Sequence, residues 1–84
     1  MKHELKICPL GFKALSSSKR NFDYRINDRD FHFGDRLIFS EYNMTTEKFT
    51  GKRVVKFINR VQPISGIMPP YVILHLSDFS PRRI

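Results

Sequence analysis

Along the chain, runs in which apolar and polar residues alternate are separated by short clusters of Pro, Gly, Asn, Asp and Ser. Residues 3–8 read as a first strand, with Leu5 and Ile7 on one side and Glu4 and Lys6 on the other. Pro9 ends that strand and is suited to the first position of a helix. Residues 9–17 then read as a short helix whose apolar face is Leu10, Phe12, Ala14 and Leu15, closed by the serines at 16–18. A second strand spans 21–26, with Phe22, Tyr24 and Ile26 on one face and Asn21, Asp23 and Arg25 on the other. Asn27–Asp30 is a polar turn, and Gly34-Asp35 is a further turn signal after Phe31 and Phe33. Arg36–Tyr42 and Phe49–Val61 predict an antiparallel hairpin, the second strand broken by a bulge at Gly51. Gln62–Pro70 reads as a loop, Tyr71–Ser77 as a last strand, and Asp78–Ile84 as a loosely held tail. Five strands and one short helix in this order predict an α+β fold, a small and mostly antiparallel barrel.

Length narrows this to one domain, residues 1–84. Eight phenylalanines and three tyrosines supply the bulky core atoms in a chain without tryptophan, so most of Tyr24, Phe33, Tyr42 and Phe49 are expected inside. The remainder are candidates for stacking on bases. Cys8 stands alone in the sequence, which excludes an intrachain disulfide and fits a reducing cytoplasm. Neither a secretory leader nor an apolar run of membrane-spanning length is visible. His3, His32 and His75 are widely spaced, with no partners at ligand spacing, so neither a metal nor a cofactor is expected.

Charge changes the picture more. Fifteen basic residues against eight acidic ones leave a net charge of +7, which favours polyanionic partners, nucleic acid first. The excess is local. Lys48, Lys52, Arg53, Lys56 and Arg60 fall in a stretch without a single acid, whereas residues 19–36 hold five basic and four acidic side chains. Lys52, Lys56 and Arg60 share strand parity and predict a basic stripe able to follow a nucleic-acid backbone.

The stretch Ser18-Lys19-Arg20-Asn21-Phe22-Asp23-Tyr24-Arg25 resembles the ASCH motif, Gly-x-Lys-x-x-Glu-x-Arg. Ser18 stands for the glycine, Arg20 for the lysine and Asp23 for the glutamate, and Arg25 matches outright. His3–Ile7, the segment Asn27-Asp28-Arg29-Asp30-Phe31 with Gly34-Asp35, Glu41-Tyr42, Phe49–Lys52 and Tyr71–Leu74 are similar to segments of small bacterial and phage ASCH-like proteins of unknown function. The resemblance implies a PUA-like fold, a twisted pseudo-barrel of five or six strands with a helix over one opening. It also implies a cleft beside that helix for RNA or a nucleotide. Arg20, Asp23, Arg25, Arg29 and Lys19 would be its ligand-binding residues.

Chemistry qualifies this. Asp23 and Arg25 leave the same face of a strand, so the carboxylate can orient the guanidinium on a phosphate or base edge, or the two can form a structural ion pair. Related ASCH proteins include acetylcytidine amidohydrolases, in which the motif lysine would act as base or nucleophile. An arginine stays protonated and cannot take that role, so no catalytic residue is assigned beyond Asp23 as the only candidate. The first expectation is therefore an RNA- or nucleotide-binding module. The alternatives are a nucleoside-processing amidohydrolase and a phage or host protein-interaction domain.

Overall fold

A computed structural model describes residues 1–64, 66 and 70–80. Its elements are β1 (Lys2–Ile7), α1 (Pro9–Ser16), β2 (Phe22–Ile26), β3 (Arg36–Asn43), β4 (Lys48–Ile64) and β5 (Tyr71–Ser77). They form a single five-stranded sheet in the order β1-β3-β4-β5-β2. β1 and β3 run parallel, with α1 in the connection between them; the other three pairings are antiparallel.

The alternation read from the sequence builds the inner face. Leu5 and Ile7 of β1, Leu37 and Phe39 of β3, Ile58 of β4, and Val72, Leu74 and Leu76 of β5 make the core, which Leu15 of α1 and Phe31 of the β2–β3 connection close. The helix begins where Pro9 predicts. Cys8 is its N-cap, and its Sγ accepts a hydrogen bond from the Gly11 N–H at 3.4 Å. Gly11 lies so close to the sheet that a Cβ there would meet the Ile7 side chain at 2.8 Å and the Arg20 guanidinium at 3.3 Å. The helix therefore packs on Gly11 and Leu15, with Phe12 against the core as the spacing predicts, while Leu10 of the predicted apolar face turns to solvent.

The helix ends in a Schellman motif. The Lys19 N–H reaches the Ala14 carbonyl at 3.1 Å and the Ser18 N–H reaches Leu15 at 3.2 Å. That closure puts Ser18 at φ 60°, a conformation a Cβ disfavours. The motif's glycine position is thus a left-handed one here. Ser18→Gly is expected to stabilise the fold by about 0.5–1 kcal/mol, read as a raised urea midpoint. A lowered midpoint would mean that the serine side chain makes a contact worth more than the strain.

Three expectations need correction. The sheet is open and does not close into a barrel, because the edge strands β1 and β2 are not hydrogen-bonded to each other. Side chains and turns occupy parts of both edges instead. Through their backbones Asn21 accepts from Leu76 of β5 and Asn27 donates to Pro70 just before it, which turns the even-numbered backbone groups of β2 outward. Arg20 Nε donates to the Phe22 carbonyl at 2.7 Å, the Asp28 N–H donates to the Ile26 carbonyl at 2.9 Å, and an Arg29 terminal nitrogen reaches the Glu4 carbonyl of β1 at 3.2 Å. Capped carbonyls of this kind blunt an edge against further strand pairing.

The second correction concerns β2, whose alternation is inverted. Asp23 is buried, while Phe22, Tyr24 and Ile26 are exposed. Phe33 and Phe49 are exposed as well, so of the four aromatics, most of which were expected inside, only Tyr42 is even half-buried.

The third is the basic stripe. β4 carries two irregularities: Thr50–Lys52 opposite Glu41, with Gly51 at φ 93° as predicted, and Asn59 opposite β5. The Asn59 bulge switches the core-facing positions from Lys56 and Ile58 to Val61, so Arg60 lies on the opposite side of β4 from Lys56. Lys56 is buried and held by Asp78. Strand β4 also runs to Ile64, into the stretch read as loop. Position 65, positions 67–69 of that loop and 81–84 of the tail lie outside the described residues.

Candidate nucleic-acid interface

The helix-to-strand junction and β2 bring Arg20, Asp23 and Arg25 together. Asp23 is buried because it leaves the inner face of β2, level with Leu74 of β5. One oxygen accepts from an Arg20 terminal nitrogen at 2.7 Å and the other from Arg25 Nε. Two guanidiniums on one carboxylate leave a local surplus of one positive charge. Asp23 grips Arg25 only at Nε. Among the described residues the two terminal nitrogens of Arg25 have no hydrogen-bond partner, and they form a fork free for an anion or a base edge. The Phe39 ring backs that guanidinium at 5.8 Å.

Arg25 opens onto a cleft of about 650 Å³. Glu4, Leu5 and Lys6 of β1, Arg29 of the β2–β3 connection, Ser40 of β3, and Phe49, Gly51, Lys52 and Arg53 of β4 complete its lining. Its volume suits a small ligand of nucleotide size. Five of the lining side chains are cationic (Lys6, Arg25, Arg29, Lys52 and Arg53) and only Glu4 is acidic. Among the described residues Lys6, Arg29, Lys52 and Arg53 have no carboxylate partner. Lys6 sits 4.4 Å above the Tyr42 ring, which packs edge-on against Phe49 at 5.0 Å between ring centres. The bulge at Thr50–Lys52 shapes this wall, tied down where the Thr50 hydroxyl donates to Glu41 at 2.6 Å.

Of the residues read from the sequence, Arg25, Arg29 and Lys52 line the cleft. Arg20 and Asp23 stand behind Arg25 as its anchor. Lys19 is exposed in the turn after α1, and Lys56 and Arg60 are not part of the cleft. No helix residue lines it, so the cleft is not beside the helix as expected. The reading from residues missed Lys6 and undervalued Arg53. Lys6 was visible as an outward residue of β1. Arg53 belonged to the acid-free stretch, but strict parity set it apart from Lys52; the bulge brings the two to one site.

Among the described residues no group of three or more His, Cys, Asp or Glu side chains is arranged to hold a metal ion. His3 bonds Asp35, His75 bonds Gln62, and Cys8 is exposed. Among the described residues no helix is long and apolar enough to cross a membrane.

Comparison with known proteins places the chain in a family. The chain is similar to an uncharacterized 12.9 kDa protein in the GpA 3′ region of Escherichia phage P2, at 33% identity over 73 residues. The match takes in 87% of this chain and 65% of the phage protein's length, so the chain spans somewhat less than two thirds of that relative. A family model described as a domain of unknown function, DUF3850, matches residues 2–76, from β1 almost to the end of β5. The chain belongs to the DUF3850 family.

Proposed function

We propose that the chain is an RNA- or nucleotide-binding module, and that the cleft between β1, Arg25 and the start of β4 is where the ligand sits. The observation that carries this is the five-to-one ratio of cationic to acidic side chains around a cavity of nucleotide size. A phosphate would be held by the Arg25 fork, with Lys52 and Arg53 on the opposite wall. Phe49, exposed and beside Tyr42, supplies an aromatic surface for a base. Asp23 acts as a positioning residue: it fixes Arg25 without touching the ligand.

The same reading places the chain with ASCH-like proteins of the PUA-like class. Its support is the junction itself. Ser18 is left-handed where the motif has glycine, and Arg20, Asp23 and Arg25 meet in space as they do in the motif's spacing. The open sheet is a departure from the closed pseudo-barrel of that class.

Fluorescence anisotropy with labelled ten-nucleotide uridine RNA over a salt series tests the reading. Three to four phosphate contacts predict a log–log slope of about −2 to −3 for a single strand. The Lys52→Glu/Arg53→Glu double variant is expected to weaken binding at least about tenfold and to lower the slope magnitude by about 1.4. Absence of binding at 50 mM salt, or unchanged affinity in a folded double variant, rejects the cleft as the site.

A further inference from the structure

We propose that the outward face of β2 and β5 is a second nucleic-acid surface, a platform on which unpaired bases of a single strand stack. It does not depend on the cleft, and a different set of side chains builds it.

The register defines the platform in rows. Phe22 lies beside His75, and His75 beside Arg60; Tyr24 lies beside Ile73, and Ile73 beside Gln62; Ile26 lies beside Tyr71, and Tyr71 beside Ile64. Phe22 and Tyr24 are each 48% exposed and Ile26 is 40% exposed. Tyr24 is stacked on Tyr71 with 4.9 Å between ring centres and 16° between planes, which holds its outer face fixed and open. The Arg20 guanidinium lies 5.4 Å from the centre of the Phe22 ring.

This arrangement runs against stability. A strand that exposes three large apolar side chains and buries a carboxylate presents an apolar patch to solvent. The rings stand on the wrong face for a core and on the right face for a planar ligand.

Charge selects the occupant. The cations at this face are Arg60 and Arg20, the latter also bonded to Asp23; His75 lies between Phe22 and Arg60 in its row, and the three rows contain no carboxylate. Two copies of a chain with a net charge of +7 repel, whereas a polyanion is matched. Geometry then selects the strand type. Phe22 and Tyr24 are two residues apart on one face, about 6.5–7 Å. That is about twice the per-strand rise of a duplex, so the rings receive bases from an extended single strand and not from a helix. Tyr24 and Arg25 are neighbours pointing to opposite faces, so a strand leaving the cleft over the β2 edge arrives at the platform.

Anisotropy titration of the full chain with labelled uridine decamer, with a duplex of equal length and with uridine monophosphate separates the possibilities. The decamer is expected to bind more tightly than the duplex and to quench tyrosine fluorescence, since two of the three tyrosines, Tyr24 and Tyr71, belong to the platform. Phe22→Ala/Tyr24→Ala is expected to lose about tenfold or more in decamer affinity, with monophosphate binding unchanged. If that variant misfolds, Phe22→Leu/Tyr24→Leu keeps the apolar bulk without the rings and is expected to show the same loss, while Tyr24→Phe retains affinity. Unchanged decamer affinity in a folded ring-less variant overturns the proposal. So does a wild-type dimer that the ring-less variant dissociates without altering RNA binding, which would make this face a self-association surface. Failure of the Lys52→Glu/Arg53→Glu variant to weaken monophosphate binding rejects the cleft alone and leaves the platform standing on its own result.

Discussion

Replacing Asp23 by alanine is expected to cost about 3 kcal/mol of unfolding free energy, a large share of what so small a domain has. The side chain is 4% exposed and, among the described residues, is the sole carboxylate bonded to Arg20 and Arg25, which are 27% and 24% exposed. Its removal leaves two partly buried guanidiniums facing each other without a counter-charge. Arg20 also caps the Phe22 carbonyl and stands against Gly11 of the helix, so the helix-to-strand junction loosens with it. Urea unfolding of wild type and variant measures the loss. Combining Arg20→Ala with Asp23→Ala should cost less than the two single changes summed, because removing both partners orphans less charge. A single-variant loss within about 0.5 kcal/mol would reduce the cluster to an ordinary surface ion pair.

That cluster was legible in the sequence as residues and spacing, but its burial was not. Asp23 and Arg25 share strand parity with Asn21, and an alternating strand that pairs Phe22, Tyr24 and Ile26 against polar residues reads as apolar-side-in. The structure inverts it because Asp23 enters the sheet's inner face together with its own two counter-ions, and no one-dimensional pattern shows a charge being neutralised from the preceding turn. The strands themselves were visible wherever the alternation was unbroken: β1 follows the parity expected of it, and β3 and β5 lie where strands were expected. Long β4 failed in its second half for a definite reason. One extra residue at Asn59 reverses every later side chain, so a stripe drawn by parity through Lys52, Lys56 and Arg60 joins residues on different faces. The bulge at Gly51 carried a glycine as its signal, and the one at Asn59 did not. Barrel closure was likewise beyond pattern reading, since it depends on whether β1 and β2 meet, and that depends on how Arg29 and the connection after β2 occupy the gap.

Asp35 tests a different knot, one that reads in sequence as a simple Gly-Asp turn. The residue is buried, and its carboxylate accepts from His3 Nε2 at 2.9 Å, from the His32 N–H at 2.9 Å and from the amino terminus at 3.1 Å. Its backbone N–H and carbonyl are also in use, bonded to the His32 carbonyl and the Ile58 N–H. One aspartate thus fastens the edge strand β1 and the turn before β3, while its backbone ties that turn to β4. Asp35→Ala is expected to cost about 3 kcal/mol at neutral pH, since a buried carboxylate's hydrogen bonds are lost and the buried His3 ring keeps no acceptor. Burial by itself pushes this carboxyl up. The bonds from His3, His32 and the amino terminus, with the charge of that terminus, outweigh it and hold the group below its usual 3.8. A carboxyl whose folded value is depressed binds its proton more readily in the unfolded chain. Its contribution is therefore complete above the unfolded value and fades as pH falls through the folded one. The difference in stability between wild type and Asp35→Asn should shrink as pH falls below about 4. Taking that difference cancels the titration of the other carboxylates. A gap that stayed level down to about pH 2 would show that Asp35 holds the turn through shape and not through its charge.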